Sequence, residues 1–211
     1  MKTAENPDLQ FVISNTTEAG IHFDATDTDQ RVLPGSFPGK LTALLYHRYQ
    51  FFNGDTEKTL TLLPCELIEK NGEALGNTIL QYIDHWKLED KFREWITKHT
   101  LFCNTLVDRI VPGFPKDTIS EIWKETGYED NLVVTAESFH LWVIEPRLAM
   151  GVSDETLRKA LPLEKAGLQV KFVDDLTPYR TRKVRILNGV HTCYGSCWIP
   201  PWSPHRTGDG R

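Results

Sequence analysis

The 211-residue chain contains no run of eighteen or more consecutive apolar residues, so no segment of it reads as a membrane-spanning helix. It lacks an excess of basic residues: the net charge is −5, which argues against a nucleic-acid footprint. It has no apolar leader either. Glu5, Asn6, Pro7 and Asp8 stand where a signal peptide needs hydrophobic residues, and a cytoplasmic location is expected. Cysteine is sparse, at four residues. Cys65 and Cys103 lie in apolar segments and read as small buried hydrophobes rather than as a disulfide. Also missing is a G-x-G-x-x-G loop near the start, with no early strand to carry one.

What is present is an alternation of strand and helix patterns. Phe11-Val12-Ile13-Ser14 reads as a buried strand, followed by a loop over 15–20. Leu41, Leu44, Leu45 and Tyr49 keep a helical period over 38–52, ended by Asn53-Gly54-Asp55. Residues 60–67 form a second apolar run, expected as a central strand. A helix opens at Asn71-Gly72, with Leu75, Ile79, Tyr82, Ile83 and Trp86 on one face. A further helix is expected over 89–98, a strand over 105–111, a short helix over 118–126 stopped by Gly127, and one or two strands within 132–144. Such alternation implies an α/β fold with a mostly parallel, Rossmann-like sheet. Ligands of these sheets sit at the carboxyl ends of the strands, here the loops after Ser14 and after Pro64.

The most informative stretch is Lys183-Val184-Arg185-Ile186-Leu187-Asn188-Gly189-Val190-His191. It spaces an amine, a carboxamide and an imidazole as K-x4-N-x2-H. Asn188 and His191, three apart, share a face if a helix starts near Leu187, and Lys183 reaches the same point from the preceding turn. A carbonyl carbon held there meets a proton donor, an amide for its oxygen and a third group that orients both. Plainer readings exist for each residue. Lys183 sits beside Arg182 and Arg185 and suits a solvated basic turn. Asn188 suits a helix N-cap before Gly189, and a lone His191 suits a core histidine.

Three motifs in order resemble the mannitol dehydrogenase family of long-chain polyol and sugar-acid dehydrogenases. They are Thr17-Glu18-Ala19-Gly20, Val107-Asp108-Arg109-Ile110-Val111-Pro112, and the Lys183, Asn188, His191 set. The likeness covers almost all of residues 5–192. The segments Ser14-Asn15-Thr16-Thr17-Glu18-Ala19-Gly20-Ile21 and Leu63-Pro64-Cys65-Glu66-Leu67-Ile68 look most like the branch that reduces keto-uronates. Two departures separate the chain from the mannitol branch. Leu67 stands where that branch has an Asn, and Arg180 where it has a Glu. Arg180 would suit a carboxylated substrate, since guanidinium pairs well with carboxylate.

The resemblance implies NAD-dependent reduction of a keto-uronate or other small sugar acid, with neither nucleic acid nor membrane as partner. It implies that Lys183 gives the proton, Asn188 holds the reacting oxygen and His191 fixes the geometry. Asp108 and Arg180 would face the substrate, and Thr17 and Glu18 would pass the nicotinamide. An ion pair with Arg109 is the plainer reading of Asp108, and an ordinary turn that of Thr17 and Glu18. Residues 1–176 correspond to the later part of a Rossmann-type domain and 177–192 to the start of a helical substrate domain. The nucleotide loop is expected upstream of Met1. Residues 193–211 follow no period, and a one-nucleotide shift of their codons restores an Ala-x-Val-Pro run, so a frameshifted tail is expected. A zinc reading of His191, Cys193, Cys197 and His205 is weaker for that reason, and no metal is expected. A fructuronate or polyol enzyme, an inactive fragment and a non-catalytic binding module remain as alternatives. The oligomeric state stays open.

Overall fold

The computed structural model describes residues 2–147 and 154–188. The chain divides into two compact units, up to Leu176 and from Thr177 onward. The first unit is built on a five-stranded sheet of order β1-β2-β3-β4-β5: Phe11–Ser14, Thr61–Pro64, Leu101–Asp108, Leu141–Arg147 and Val170–Phe172. β1, β2 and β3 run parallel, as do β4 and β5, while β3 and β4 are antiparallel. The helices are α1 (Phe37–Phe51), α2 (Asn71–His85), α3 (Asp90–His99), α4 (Ile119–Thr126) and α5 (Asp154–Ala160).

Both faces of the sheet are covered, as parallel strands require. Consecutive residues of β2 show it: Leu62 enters one core with Leu41, Leu45, Leu75, Ile79, Phe92 and Ile96 of α1–α3. Leu63 enters the other with Cys103, Ile144, Phe172 and Leu157 of α5. Cys65 and Cys103 are free and buried. The helix face read from the sequence at Leu75, Ile79, Tyr82, Ile83 and Trp86 is buried throughout. Ser36 caps α1, its Oγ accepting from Gly39 N at 3.0 Å.

The structure corrects three expectations and narrows another. β1 is an edge strand here rather than a buried one, and Ile13 is 56% exposed. β3 begins at Leu101, four residues earlier than expected, and ends at Asp108. Within 132–144 there is one strand, which starts at Leu141, and a single bridge from Thr135 to Gly113. The antiparallel return has a local cause: the arm between β3 and β4 closes on itself. Thr135 N donates to Gly113 O at 2.9 Å, Glu137 N to Ile110 O at 3.1 Å, and Ile110 N to Glu137 Oε1 at 2.6 Å. The chain therefore comes back beside the end of β3, with Leu141 opposite Asp108. The third correction is that no helix starts at Leu187: the second unit is already helical in α6 (Thr177–Arg182), and a π-helical turn, Lys183–Asn188, follows directly.

The long loop between β1 and α1 is fastened by Asp27. Its carboxylate accepts from Gly35 N (2.5 Å), Ser36 N (3.2 Å), Ser36 Oγ (2.8 Å) and Tyr82 Oη (3.0 Å), and Trp86 Nε1 donates to its carbonyl at 2.6 Å. Burial alone would raise its pKa, but the four donors outweigh it and hold the carboxyl below the usual 3.8. A depressed folded pKa means stabilisation present above the unfolded value and lost as pH falls through the folded one. Asp27→Asn is therefore expected to cost about 1–3 kcal/mol at pH 7. The gap between variant and parent should narrow below about pH 4 in urea melts. A gap that stays constant down to pH 2–3, well under the ordinary carboxylate range, would show that the charge contributes nothing.

Among the described residues no helix is long and apolar enough to cross a membrane.

Candidate functional site

Because β1, β2 and β3 are parallel, their carboxyl ends Ser14, Pro64 and Asp108 reach one edge of the sheet. A cleft of about 380 Å³ opens there. Its polar lining is Asn15, Asp108, Arg109 and His140, and its apolar lining includes Ile13, Cys65, Val107, Leu141 and Trp142. This is where ligands of open α/β sheets bind, and both loops expected at the site from the sequence contribute to it.

The floor of this edge depends on Asn71. β2 and β3 pair only at Thr61–Leu101 and Leu62–Phe102 and then part. The Asn71 carboxamide fills the gap. Its Oδ1 accepts from Thr105 N at 2.8 Å, and its Nδ2 donates to Pro64 O at 2.8 Å and Thr105 O at 3.0 Å. Thus it supplies the bonds a neighbouring strand would make. Asn104 in turn accepts from Gly72 N (3.0 Å) and Glu73 N (3.2 Å) at the start of α2. A Cβ on Gly72 would lie 2.4 Å from Cys103 O, so only glycine lets α2 approach β3 this closely.

Burial pushes the Cys65 thiol up to about 11, with the Glu66 charge adding to the rise against a hydrogen bond from Thr105. The cleft thiol is therefore protonated near neutral pH and is no nucleophile. His140 Nε2 accepts from Gln169 N at 3.0 Å, which places the imidazole proton on Nδ1. Arg109 Nε donates to Glu137 O at 3.1 Å, joining the cleft wall to the arm. The indole N–H of Trp142 is buried and meets no acceptor among the described residues.

The residues singled out from sequence fall into three groups. Asp108 lines the cleft. Thr17 and Glu18 lie on an exposed turn closed by Gly20 N donating to Thr17 O at 2.9 Å, two residues past Asn15. Arg180 and Lys183, both half-buried, belong to α6 and the π turn of the second unit. Asn188 closes that turn by its backbone. Its side chain, His191 and all of 193–211 lie outside the described residues. Sequence reading missed Asn71 as a strand surrogate, His140 and Trp142 as cleft walls, and Glu66. An Asn-Gly pair at a helix start was the one available signal.

Residues 1–153 match the mannitol dehydrogenase Rossmann domain. The chain belongs to the mannitol dehydrogenase family. It is 54% identical over 189 residues to an altronate oxidoreductase of Bacillus subtilis (strain 168), covering 90% of this chain and 38% of that protein. An altronate oxidoreductase of Bacteroides thetaiotaomicron is 53% identical over 192 residues, covering 91% and 39%. The chain thus spans under two fifths of the length of these relatives. Among solved structures, a D-sorbitol dehydrogenase in substrate-free form superposes with TM-score 0.70 at 27% identity, covering 90% of this chain and 39% of that one. The Pseudomonas fluorescens mannitol 2-dehydrogenase ternary complex with NAD and D-mannitol gives 0.69 at 25%, covering 90% and 38%.

Proposed function

We propose that this chain carries part of the active site of an NAD-dependent reductase that converts tagaturonate to altronate. The observation that carries the reading is the likeness to altronate oxidoreductases, at about twice the identity of the sorbitol and mannitol enzymes. Leu67 and Arg180 agree with it. The end of β2 offers an exposed leucine where the polyol branch has an amide, and α6 offers a guanidinium for a sugar carboxylate.

The cleft fits the nicotinamide end of a dinucleotide. It is open, largely apolar, and lies at the carboxyl ends of parallel strands. Ile13, Val107 and Trp142 would hold the ring, and Thr17 and Glu18 would border it. NADH, when bound, supplies the hydride to the keto carbon. The chain's own work is the rest. Asp108 orients substrate hydroxyls, Arg180 holds the carboxylate, Lys183 delivers the proton to the carbonyl oxygen, Asn188 hydrogen-bonds that oxygen, and His191 fixes both.

The test is a graft. Residues 1–192 replace the matching segment of the B. subtilis altronate oxidoreductase, and NADH oxidation is followed with tagaturonate, fructuronate and fructose. Tagaturonate is expected to lead fructose in kcat/KM by on the order of 100-fold or more, as a site built for a polar group rejects a ligand lacking it. Preference for fructose or fructuronate would overturn the assignment.

A further inference from the structure

We propose that Glu66 is a positioning residue that holds the Asn15–Glu18 loop in the geometry the reaction needs; this rests on the reductase reading above. Glu66 directly follows Cys65 at the end of β2 and is only 2% exposed. Burying a carboxylate is costly unless its oxygens are satisfied. Here, among the described residues, all three donors to the carboxylate come from Ser14 and Thr16, where the chain leaves β1. Oε2 accepts from Ser14 Oγ at 3.1 Å, and Oε1 from Thr16 N at 3.1 Å and Thr16 Oγ1 at 2.9 Å. With donors from one short segment on both oxygens, the group is fixed in direction as well as in place.

The carboxylate is itself fixed from behind. Glu66 O accepts from Asn71 Nδ2 at 3.0 Å and from Ile68 N at 2.7 Å. Cys65 N donates to Ser14 O at 2.6 Å, which extends the β1–β2 ladder to the residue before Glu66. On the far side, the loop folds tightly back on Thr16. A Cβ on Gly20 would lie 1.7 Å from Thr16 Oγ1, so only glycine admits this fold. Thr16 is therefore clamped between Glu66 and Gly20. On either side of it stand Asn15, which lines the cleft, and the exposed pair Thr17 and Glu18. Among the described residues the Glu66 carboxylate makes no hydrogen bond to a cleft-lining side chain. It acts through the loop, and that distinguishes it from Asp108.

The test uses the full 211-residue chain. Amide exchange at Thr16 is read by NMR in the parent, in Glu66→Asp, which shortens the reach by one methylene, and in Glu66→Gln, which keeps an oxygen acceptor. Glu66→Asp is expected to speed Thr16 exchange by about 10-fold or more through local opening, with Glu66→Gln close to the parent. In tagaturonate reduction by the grafted enzyme described above, Glu66→Asp should lower kcat by about 10- to 100-fold, the loss associated with an ångström-scale misplacement, with a smaller change in KM and rescue by Gln. If Glu66→Asp does not fold, Thr16→Ala, at an exposed position, removes one of the three donors and should speed exchange of the remaining Thr16 N–H. Unchanged Thr16 exchange in Glu66→Asp, or in Thr16→Ala where that stands in, overturns the proposal, as does faster exchange with an unaltered kcat. A parent graft that fails to reduce tagaturonate sinks the reductase reading instead, and the exchange data alone then decide whether Glu66 holds the loop.

Discussion

Lys183→Ala is expected to lower the turnover of tagaturonate reduction by about 10²–10⁴-fold, the range a positioned acid–base group contributes. The loss should fall on kcat and on kcat/KM alike, because proton delivery belongs to the transition state and not to ground-state binding. Lys183→Arg should be nearly as damaging. A guanidinium keeps the charge but does not give up its proton near neutral pH. Neither change should move the melting temperature by more than a few degrees, since Lys183 is only half-buried and opens a short turn. The grafted enzyme described above is the form in which to measure it. Retention of more than a tenth of the parental kcat by Lys183→Ala would remove the lysine from the chemistry and leave its plainer role, a solvated residue beside Arg182 and Arg185.

The π turn gives this lysine a structural argument that its spacing alone lacks. Five residues separate Lys183 from Asn188, and in an α-helix positions five apart point away from one another. A π turn closes its bonds from i to i+5, which brings such positions one above the other, and turns of this kind recur at functional sites. The structure forms one over Lys183–Asn188 and nowhere else among the described residues. The K-x4-N spacing and the local backbone therefore agree, although the sequence pattern pointed to a helix beginning only at Leu187. Nothing in composition marks a π turn. It is an α-helix with one residue too many, and the surplus leaves no trace in hydrophobic period.

Elsewhere the legibility of the chain follows how much one-sided burial each segment has. α2 was readable because Leu75, Ile79, Tyr82, Ile83 and Trp86 all pack inward at helical spacing. The start of β3 was not, because Asn104 interrupts its apolar run. That polar residue is buried for a reason no local pattern records, namely capping the start of α2 through Gly72 N and Glu73 N. The antiparallel return of β4 was equally hidden. An eight-residue helix between two strands suggests a crossover, but the bonds of Glu137 and Thr135 to Ile110 and Gly113 fold the arm back first. At the site, Asp108 and the loop after Ser14 could be found by motif. Glu66, Asn71 and His140 could not, since each acts by joining segments distant in sequence: 50 residues for Glu66 to Thr16, 34 for Asn71 to Thr105, 29 for His140 to Gln169.

Arg48→Ala is expected to cause the largest loss of stability of any single change in the first unit, about 3–5 kcal/mol, the cost of leaving several buried carbonyls without a donor and of truncating a buried side chain. Arg48 is 1% exposed in the middle of the fold. Among the described residues its guanidinium meets no carboxylate and bonds to backbone carbonyls instead. Nε donates to Lys58 O at 2.6 Å, Nη1 to Ala4 O at 2.7 Å and Asn6 O at 2.8 Å, and Nη2 to Leu9 O at 3.1 Å. The group also lies over the Phe52 ring, 4.8 Å from its centroid. Burial lowers the guanidinium pKa, yet an arginine stays charged at any working pH. Alanine would leave four carbonyls to find new donors and open a cavity beside the Phe52 ring. Lysine should recover only part of the loss, because a single ammonium cannot fork to acceptors on both sides. In a chain of this size about 3–5 kcal/mol corresponds to a fall in melting temperature of roughly 6–20 °C. The effect should reach the site as well. Arg48 holds the Leu9 carbonyl, two residues before β1, and the other end of β1 delivers Ser14 and Asn15 to the cleft. Thr16 exchange should therefore rise in Arg48→Lys under conditions where the rest of the sheet stays protected. A variant that melts within about 2 °C of the parent, the shift expected for under 1 kcal/mol, would show that water replaces the guanidinium at these carbonyls without loss.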